Sequence, residues 1–146
     1  FQINFENTKI IDFFSGSGSF GLECISRGSK KVKFIESNSK IQNTLYRNLS
    51  NNFDKNKYDI NQNDFFNMDK ISLIENFKPN LIFIDPPYKI KKFDEIFEFI
   101  KKLLKYKNLI IILHIEKTKN LYFENFKFSL EKIYGSSKII FLKTNS

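Results

Sequence analysis

The chain has 146 residues, a formal net charge of +8 at pH 7 and one cysteine. This length accommodates one domain with a substantial core, and a single cysteine excludes both a disulfide framework and a cysteine-based zinc site. We find no secretory h-region and no apolar run long enough to span a bilayer, so we expect a cytoplasmic protein without a membrane partner.

Short apolar runs alternate with amphipathic segments along the chain, which is typical of strands that alternate with helices. We predict strands at residues 9–14, 31–36, 57–63, 81–84, 109–115, 126–134 and 138–142. We predict helices at about residues 19–27, around 68–77 and at 93–104. A further helix follows the second strand, with Ser37 or Ser39 as its cap and with Ile41, Leu45 and Leu49 on one face. The order predicts a mostly parallel sheet covered by helices on both faces, which ends in a hairpin around Gly135-Ser136-Ser137.

The pattern shows no internal repeat and no domain boundary, so we predict one domain over residues 1–146. The chain begins at Phe1 and the first predicted strand follows almost at once. We therefore expect that an N-terminal extension is missing, and we expect a monomer.

The basic excess favours a polyanionic partner such as nucleic acid. Lysine supplies nearly all of the positive charge, since Arg27 and Arg47 are the only arginines. Lysine, asparagine, isoleucine and phenylalanine have AT-rich codons, so a biased genome could supply much of the charge. The same bias makes the five glycines and three prolines informative, because they should remain where backbone geometry requires them.

The pattern Gly16-x-Gly18-x-x-Gly21 lies between the first predicted strand and the first predicted helix. Glycines in this position allow a tight turn and a close approach to a ligand, and the helix N-terminus adds oriented N–H groups. Glu36 follows Gly16 by 20 residues and ends the second strand, where an acid can bind ribose hydroxyls. A tight turn without a ligand is the alternative. We predict a nucleoside site whose loop contacts come from Ser15, Gly16, Ser17, Gly18, Phe20 and Gly21.

Two further acids indicate which nucleoside cofactor binds. Asp12 on the first strand would point towards the cofactor pocket, where it could accept a bond from an ammonium group or order a water molecule. Asp64 ends the third strand, where it can meet an exocyclic adenine amine. This distribution of acids matches S-adenosylmethionine, an adenosine that carries an amino acid, better than it matches NAD.

The motif Asp85-Pro86-Pro87-Tyr88 follows the apolar strand at residues 81–84. The prolines end the strand and extend the chain as a stiff turn, at the sheet edge where open α/β proteins bind ligands. The Asp85 carboxylate and the Pro86 carbonyl can accept two N–H bonds from an amino group on a flat ring. Tyr88 can stack on the face of that ring.

Other chemistry-bearing residues allow simpler interpretations. The lysines that follow the turn, Lys89, Lys91 and Lys92, could meet phosphates of a nucleic acid or could form only a solvated segment. His114 lies inside a buried strand, so we interpret it as a packed residue. We interpret Cys24 as core, because nothing suggests a partner for a nucleophile. The sequence shows no cluster of metal ligands, and we expect no metal.

Several of these motifs together resemble one family. Residues 12–23, 26–28 and 34–36 resemble the first two motifs of the RsmD family of bacterial methyltransferases, and residues 81–88 resemble its catalytic motif. Residues 115–117 and 132–135 resemble its C-terminal half. The resemblance extends from about residue 9 to residue 142. Family members usually carry an N-terminal segment with an Arg-Pro-Thr motif, which this chain lacks, and Cys24 replaces a small residue.

The resemblance implies a class I S-adenosylmethionine-dependent methyltransferase fold, which is Rossmann-like and has seven strands with an antiparallel last strand. It implies methyl transfer to the exocyclic N2 of a guanine in small-subunit (16S) ribosomal RNA, either as RNA or in an assembling subunit. Asp85, Pro86, Pro87 and Tyr88 would form the catalytic motif. Asp85 and the Pro86 carbonyl would accept the protons of the amine and so make its nitrogen more nucleophilic.

Three other functions fit parts of the pattern. An adenine-N6 methyltransferase acting on DNA or RNA shares the four-residue motif, although a small chain without a target-recognition domain favours structured RNA. A non-catalytic RNA-binding protein would keep the fold, but it would not need Gly16, Gly18, Glu36 and the motif all intact. An NAD-dependent oxidoreductase leaves the motif unexplained.

Overall fold

The computed structural model describes residues 2–146. Its strands are β1 (Lys9–Phe13), β2 (Lys31–Ile35), β3 (Tyr58–Asn61), β4 (Leu81–Ile84), β5 (Ile110–Glu116), β6 (Phe128–Tyr134) and β7 (Ser137–Lys143). Its helices are α1 (Ser19–Ser26), α2 (Ser39–Ser50), α3 (Lys70–Phe77) and α4 (Phe93–Lys102). The strand order in the seven-stranded sheet is β3-β2-β1-β4-β5-β7-β6. Each predicted strand and helix is therefore present in the described part of the chain.

The chain forms two compact units, one ending at Leu81 and the other beginning at Ile82. In the first unit, β1 pairs with β2 and β2 pairs with β3, and both pairings are parallel. The apolar residues of β1 and β2 are buried, which is expected where a parallel sheet is covered by helices. The core of this unit includes Ile10, Ile11, Phe13, Val32, Phe34, Leu45 and Leu49.

Helix boundaries in the first unit follow local capping chemistry. Arg27 ends α1, and Gly28 follows it with φ +99°, which confirms Gly28 as the glycine that terminates this helix. The prediction that Ser37 or Ser39 caps the next helix is wrong. Asn38 is the cap of α2, and its side-chain oxygen accepts hydrogen bonds from the backbone N–H groups of Lys40 and Ile41.

The second unit contains an antiparallel arrangement in which β7 pairs with both β5 and β6. Gly135 has φ +56° at the turn between β6 and β7, which confirms the predicted hairpin. The turn is one residue shorter than predicted, because Ser137 already begins β7. Helix α4 buries Phe93, Ile96, Phe99 and Ile100, so its amphipathic pattern is confirmed, with Phe99 as an additional core residue.

Close packing of α1 on β2 depends on Gly21. A Cβ at Gly21 would overlap the buried Phe34 ring and would lie 3.0 Å from Cγ1 of Val32. We expect Gly21→Ala to lower the free energy of unfolding by about 1–3 kcal/mol, because overpacking in a dense core outweighs alanine's helix propensity. Denaturant unfolding measures this change. Ser26→Ala, at an exposed position of the same helix, should change stability by no more than about 0.5 kcal/mol. Equal stability of the two variants would contradict the packing argument.

Candidate active site

The glycine loop after β1 is a tight turn. The backbone N–H of Gly18 donates to the carbonyl of Ser15 over 2.9 Å, and Gly16 has φ +57°, a conformation that glycine adopts without strain. A Cβ at Gly16 would meet no other part of residues 2–146 within 4 Å. Glycine is therefore needed at this position for its backbone conformation, and the space beside it is open to a ligand.

Glu36 connects the glycine loop to the start of α2. Its Oε1 accepts a hydrogen bond from the N–H of Gly16, and its Oε2 accepts one from the N–H of Asn38, each over 2.9 Å. The structure thus brings together two of the predicted site residues, Gly16 and Glu36. A carboxylate has about four lone-pair sites, so these bonds leave Glu36 able to accept further hydrogen bonds from a ligand.

A residue missed by the sequence analysis also holds this loop. The side-chain amide of Asn48 on α2 donates to the backbone carbonyl of Ser17 over 3.1 Å. Ser17 itself is exposed, and Phe20 is half-buried at the start of α1. Because Asn48 lies 31 residues from Ser17, no local pattern could have indicated this contact.

A buried carboxylate and a buried hydroxyl group lie near the end of β1. Asp12 is only 1% exposed. Burial, with a smaller contribution from the charge of Asp12, raises the pKa of Cys24 to about 12. Cys24 is 1% exposed, so the prediction that it belongs to the core is confirmed. The Ser15 hydroxyl is buried, and among residues 2–146 its oxygen has no hydrogen-bond partner. A buried hydroxyl without a hydrogen-bond partner is consistent with a bound ligand that supplies the missing bond.

Asp64 shapes its own turn. Its Oδ1 accepts a hydrogen bond from the N–H of Phe66 over 3.0 Å, and its Oδ2 accepts one from the Asn67 side chain over 3.1 Å. Asp64 is exposed, and the prediction that it meets an adenine amine stays a prediction. Its local bonds give it a structural role as well.

An aromatic cluster beside Asp64 was not predicted. The ring of Phe65 lies 5.2 Å from that of Phe13, 5.0 Å from that of Phe14 and 5.2 Å from that of Phe66, measured between centroids. Phe14 has φ +59°, a conformation that side-chain-bearing residues rarely adopt. The cluster holds Phe14 in this conformation, immediately before the glycine loop.

In the second unit, the turn after β4 leaves the side chain of Asp85 partly exposed to solvent. Asp85 is 39% exposed at its side chain, Pro86 is buried, and Pro87 and Tyr88 are exposed. The Pro87 carbonyl accepts a hydrogen bond from the N–H of Ile90 over 3.2 Å, which closes the turn. Burial raises the pKa of Asp85 above its ordinary value, and His114 opposes this rise through its charge and its hydrogen bond.

His114 in β5 has contacts that no sequence pattern predicted. Its side chain is 28% exposed, and its Nδ1 lies 3.0 Å from Oδ1 of Asp85. Its ring also packs edge-on against that of Tyr88, with 6.1 Å between centroids. His114 therefore lies in a strand as expected, and it also contacts two members of the predicted Asp85-Pro86-Pro87-Tyr88 motif, which the sequence did not indicate.

The remaining predicted residues lie on the surface. Lys89, Lys91 and Lys92 are exposed around the start of α4, so they are accessible to a polyanion. Across residues 2–146, no three His, Cys, Asp or Glu side chains are grouped as a metal ion would require. In the same range, no helix has the length and apolar character needed to cross a membrane.

Comparisons with known proteins identify a consistent group of relatives. The model of the family described as conserved hypothetical protein 95 matches residues 1–143. The ribosomal RNA small subunit methyltransferase D of Haemophilus influenzae is 29% identical, over 88% of this chain and 67% of that protein.

Two solved structures extend the likeness. A conserved hypothetical protein of Streptococcus pyogenes is 26% identical, with a TM-score of 0.75, over 96% of this chain and 88% of that one. An RNA methyltransferase of Salinibacter ruber, solved in complex with S-adenosyl-L-homocysteine, is 10% identical. Its TM-score is 0.67, and the match covers 95% of this chain and 82% of that one. At this identity, the second match indicates a shared fold.

Proposed function

The chain belongs to the RsmD-like family described as conserved hypothetical protein 95, and on that premise we propose that it methylates the exocyclic N2 of a guanine in small-subunit ribosomal RNA. The expected class I methyltransferase fold is confirmed by the sheet order and by the solved methyltransferase structures. The protein is an S-adenosylmethionine-dependent RNA methyltransferase. The guanine, its N2 atom and the small-subunit substrate are the proposal.

The residues around the glycine loop fit S-adenosylmethionine. The buried Ser15 hydroxyl lacks a partner in the described chain, Gly16 leaves open space beside its backbone, and Glu36 retains free lone pairs. These residues would hold the cofactor, together with Asp12, Ser17, Gly18, Phe20, Gly21 and Asp64. When bound, the cofactor supplies a methyl group on a positively charged sulfur, which needs no metal for activation.

The observation that carries the proposal is the arrangement of Asp85. Only its Oδ1 contacts His114, so Oδ2 can accept an N–H from a substrate amine. An exocyclic amine is a poor nucleophile because its lone pair is delocalised into the ring. Asp85 and the Pro86 carbonyl would accept hydrogen bonds from its two N–H groups and favour a tetrahedral nitrogen. As the methyl group leaves the sulfur for this nitrogen, Asp85 would take up the proton that the nitrogen releases.

Recognition of the base and its RNA would come from the exposed surface of the same turn. Tyr88 is 38% exposed, so its ring can stack on an unstacked base, and a guanine that starts in a helix must first be extruded. Lys89, Lys91 and Lys92 would bind neighbouring phosphates. The name of the H. influenzae relative supports a small-subunit ribosomal RNA substrate.

A labelling experiment tests this function. The protein is incubated with radiolabelled S-adenosylmethionine and small ribosomal subunits that lack guanine-N2 methylation, with DNA in a parallel reaction. The labelled nucleoside is identified after digestion, and we expect N2-methylguanosine. Label in N6-methyladenine of DNA would overturn the substrate. Cofactor binding without label in either reaction would favour a non-catalytic RNA-binding protein.

A further inference from the structure

His114 is the only histidine in the chain, and it lies in β5 beside the catalytic turn. His114 is paired with Ile139 on β7, and Ile139 is paired in turn with Lys132 on β6. Paired residues in antiparallel strands share a face, so an apolar side chain separates His114 from that lysine. The imidazole instead makes a polar contact with Asp85 through Nδ1 and an aromatic contact with the ring of Tyr88.

The geometry defines the direction of the hydrogen bond. An ionised carboxylate can only accept, so Nδ1 of His114 carries the hydrogen when Asp85 is charged. One oxygen of Asp85 is then occupied, and the other is available to a ligand. A carboxylate otherwise rotates over a broad range about its terminal bond, and this bond fixes that rotation.

We propose that His114 is a positioning residue for Asp85, whose carboxylate it orients through the bond from Nδ1 to Oδ1, so that the other carboxylate oxygen accepts the amine proton of the substrate. This inference rests on the proposed function. It assigns a role in methyl transfer to a residue outside the Asp85-Pro86-Pro87-Tyr88 motif. No covalent step involves His114, because its Nδ1–H stays in place while Asp85 takes up the proton.

Burial and His114 act on the ionisation of Asp85 in opposite directions. Burial raises the pKa of Asp85 and His114 lowers it, so removing His114 should raise that pKa. Activity that needs ionised Asp85 is present above its pKa and is lost as pH falls. The acidic limb of the rate profile should therefore move to higher pH without His114. Other charged or titratable groups of the described chain on the same face as His114 include Glu116 two residues along β5, Lys143 on β7, and Lys132 and Tyr134 on β6. Tyr88 contacts the His114 ring from the turn after β4.

Two variants of His114 separate the hydrogen bond from the packing. His114→Phe keeps the ring volume but removes the donor, whereas His114→Asn keeps a side-chain N–H near the position of Nδ1. For His114→Phe we expect kcat to fall about tenfold to a hundredfold, with cofactor affinity unchanged and the acidic limb of the rate profile moved to higher pH. His114→Asn should retain kcat within about threefold. Glu116→Gln, on the same strand, is the matched control and should leave the pH of the acidic limb of the rate profile unchanged.

Nuclear magnetic resonance tests the same contact without any substrate. Because the chain has one histidine, its ¹⁵N spectrum reports a single imidazole, and we expect hydrogen on Nδ1. Carboxyl ¹³C titration of Asp85 should give a higher midpoint in His114→Phe than in the wild-type protein. Hydrogen on Nε2 with an unchanged Asp85 midpoint would overturn the proposal. Equal loss of kcat in both His114 variants, with no shift in pH profile, would also overturn it and indicate a structural role.

The two proposals fail in different ways. If the wild-type protein methylates neither RNA nor DNA, the proposed function is lost, while the spectra still decide whether His114 orients Asp85. If the wild-type protein forms N2-methylguanosine but the spectra and pH profile do not respond to His114→Phe, the function stands and the positioning role is rejected.

Discussion

Asp85→Ala is expected to lower kcat for methyl transfer by a factor of about 10²–10³ or more, while cofactor affinity changes by no more than a few-fold. The carboxylate is the charged acceptor of the turn after β4, and its Oδ1 is already held by His114. Removing it leaves the amine with only the Pro86 carbonyl as an acceptor, and preorganised polar groups of this kind often dominate catalysis. Single-turnover methylation and calorimetric titration with S-adenosylmethionine measure the two quantities separately.

The control for this variant is Asp94→Ala. Asp94 is an exposed acid in the first turn of α4, so its loss removes one negative charge from the same unit without touching the catalytic motif. It should leave kcat close to the wild-type value. If Asp85→Ala instead abolished cofactor binding and kept the rate at saturating cofactor, Asp85 would belong to the cofactor site and its assigned role would be wrong.

Elements with strong local signals were predictable from the sequence. Strand β4 has the bounds that its four-residue apolar run predicts, Leu81–Ile84. Gly28 and Gly135 both adopt positive φ values, as expected for glycines that terminate a helix and form a hairpin turn. In each case, the residues that determine the structure lie within a few positions of one another.

The cap of α2 could not be determined from the local sequence alone. Ser37, Asn38 and Ser39 are all good capping residues, so propensity alone cannot choose among them. The choice follows from Glu36, whose Oε2 accepts a hydrogen bond from the Asn38 N–H while its Oε1 holds Gly16. A contact between residues 20 positions apart therefore helps to place the beginning of a helix.

Within the site, residue types were predictable but contacts were not. The roles suggested for Gly16, Glu36 and Asp85 followed from motifs, whereas the bond between Asp85 and His114 joins residues 29 positions apart. An apolar run predicts a buried strand, and a single histidine within it has no periodic signal of its own. The chain has 18 phenylalanines, so no pattern in the sequence distinguished those that form the cluster around Phe65.

Glu36→Ala should weaken S-adenosylmethionine binding by about 1–3 kcal/mol, which corresponds to roughly a fivefold to 150-fold increase in Kd. Two effects contribute, because the variant loses acceptors proposed for the ribose hydroxyls and also frees the N–H groups of Gly16 and Asn38. Glu36→Gln keeps one side-chain oxygen that can accept from Gly16, so its loss of affinity should be smaller. Calorimetric titration of the protein with the cofactor measures both variants.

Glu23→Ala is the matched control for the loss of a glutamate. Glu23 is exposed on α1 and forms an ion pair with Arg27 at 2.8 Å, so its removal should cost at most about 1 kcal/mol of stability and leave cofactor affinity unchanged. Unchanged affinity in Glu36→Ala would remove Glu36 from the cofactor site and limit it to holding the loop. In that case the variant should still lose stability, since two loop N–H groups lose their acceptor, and denaturant unfolding would separate the structural role from the binding role.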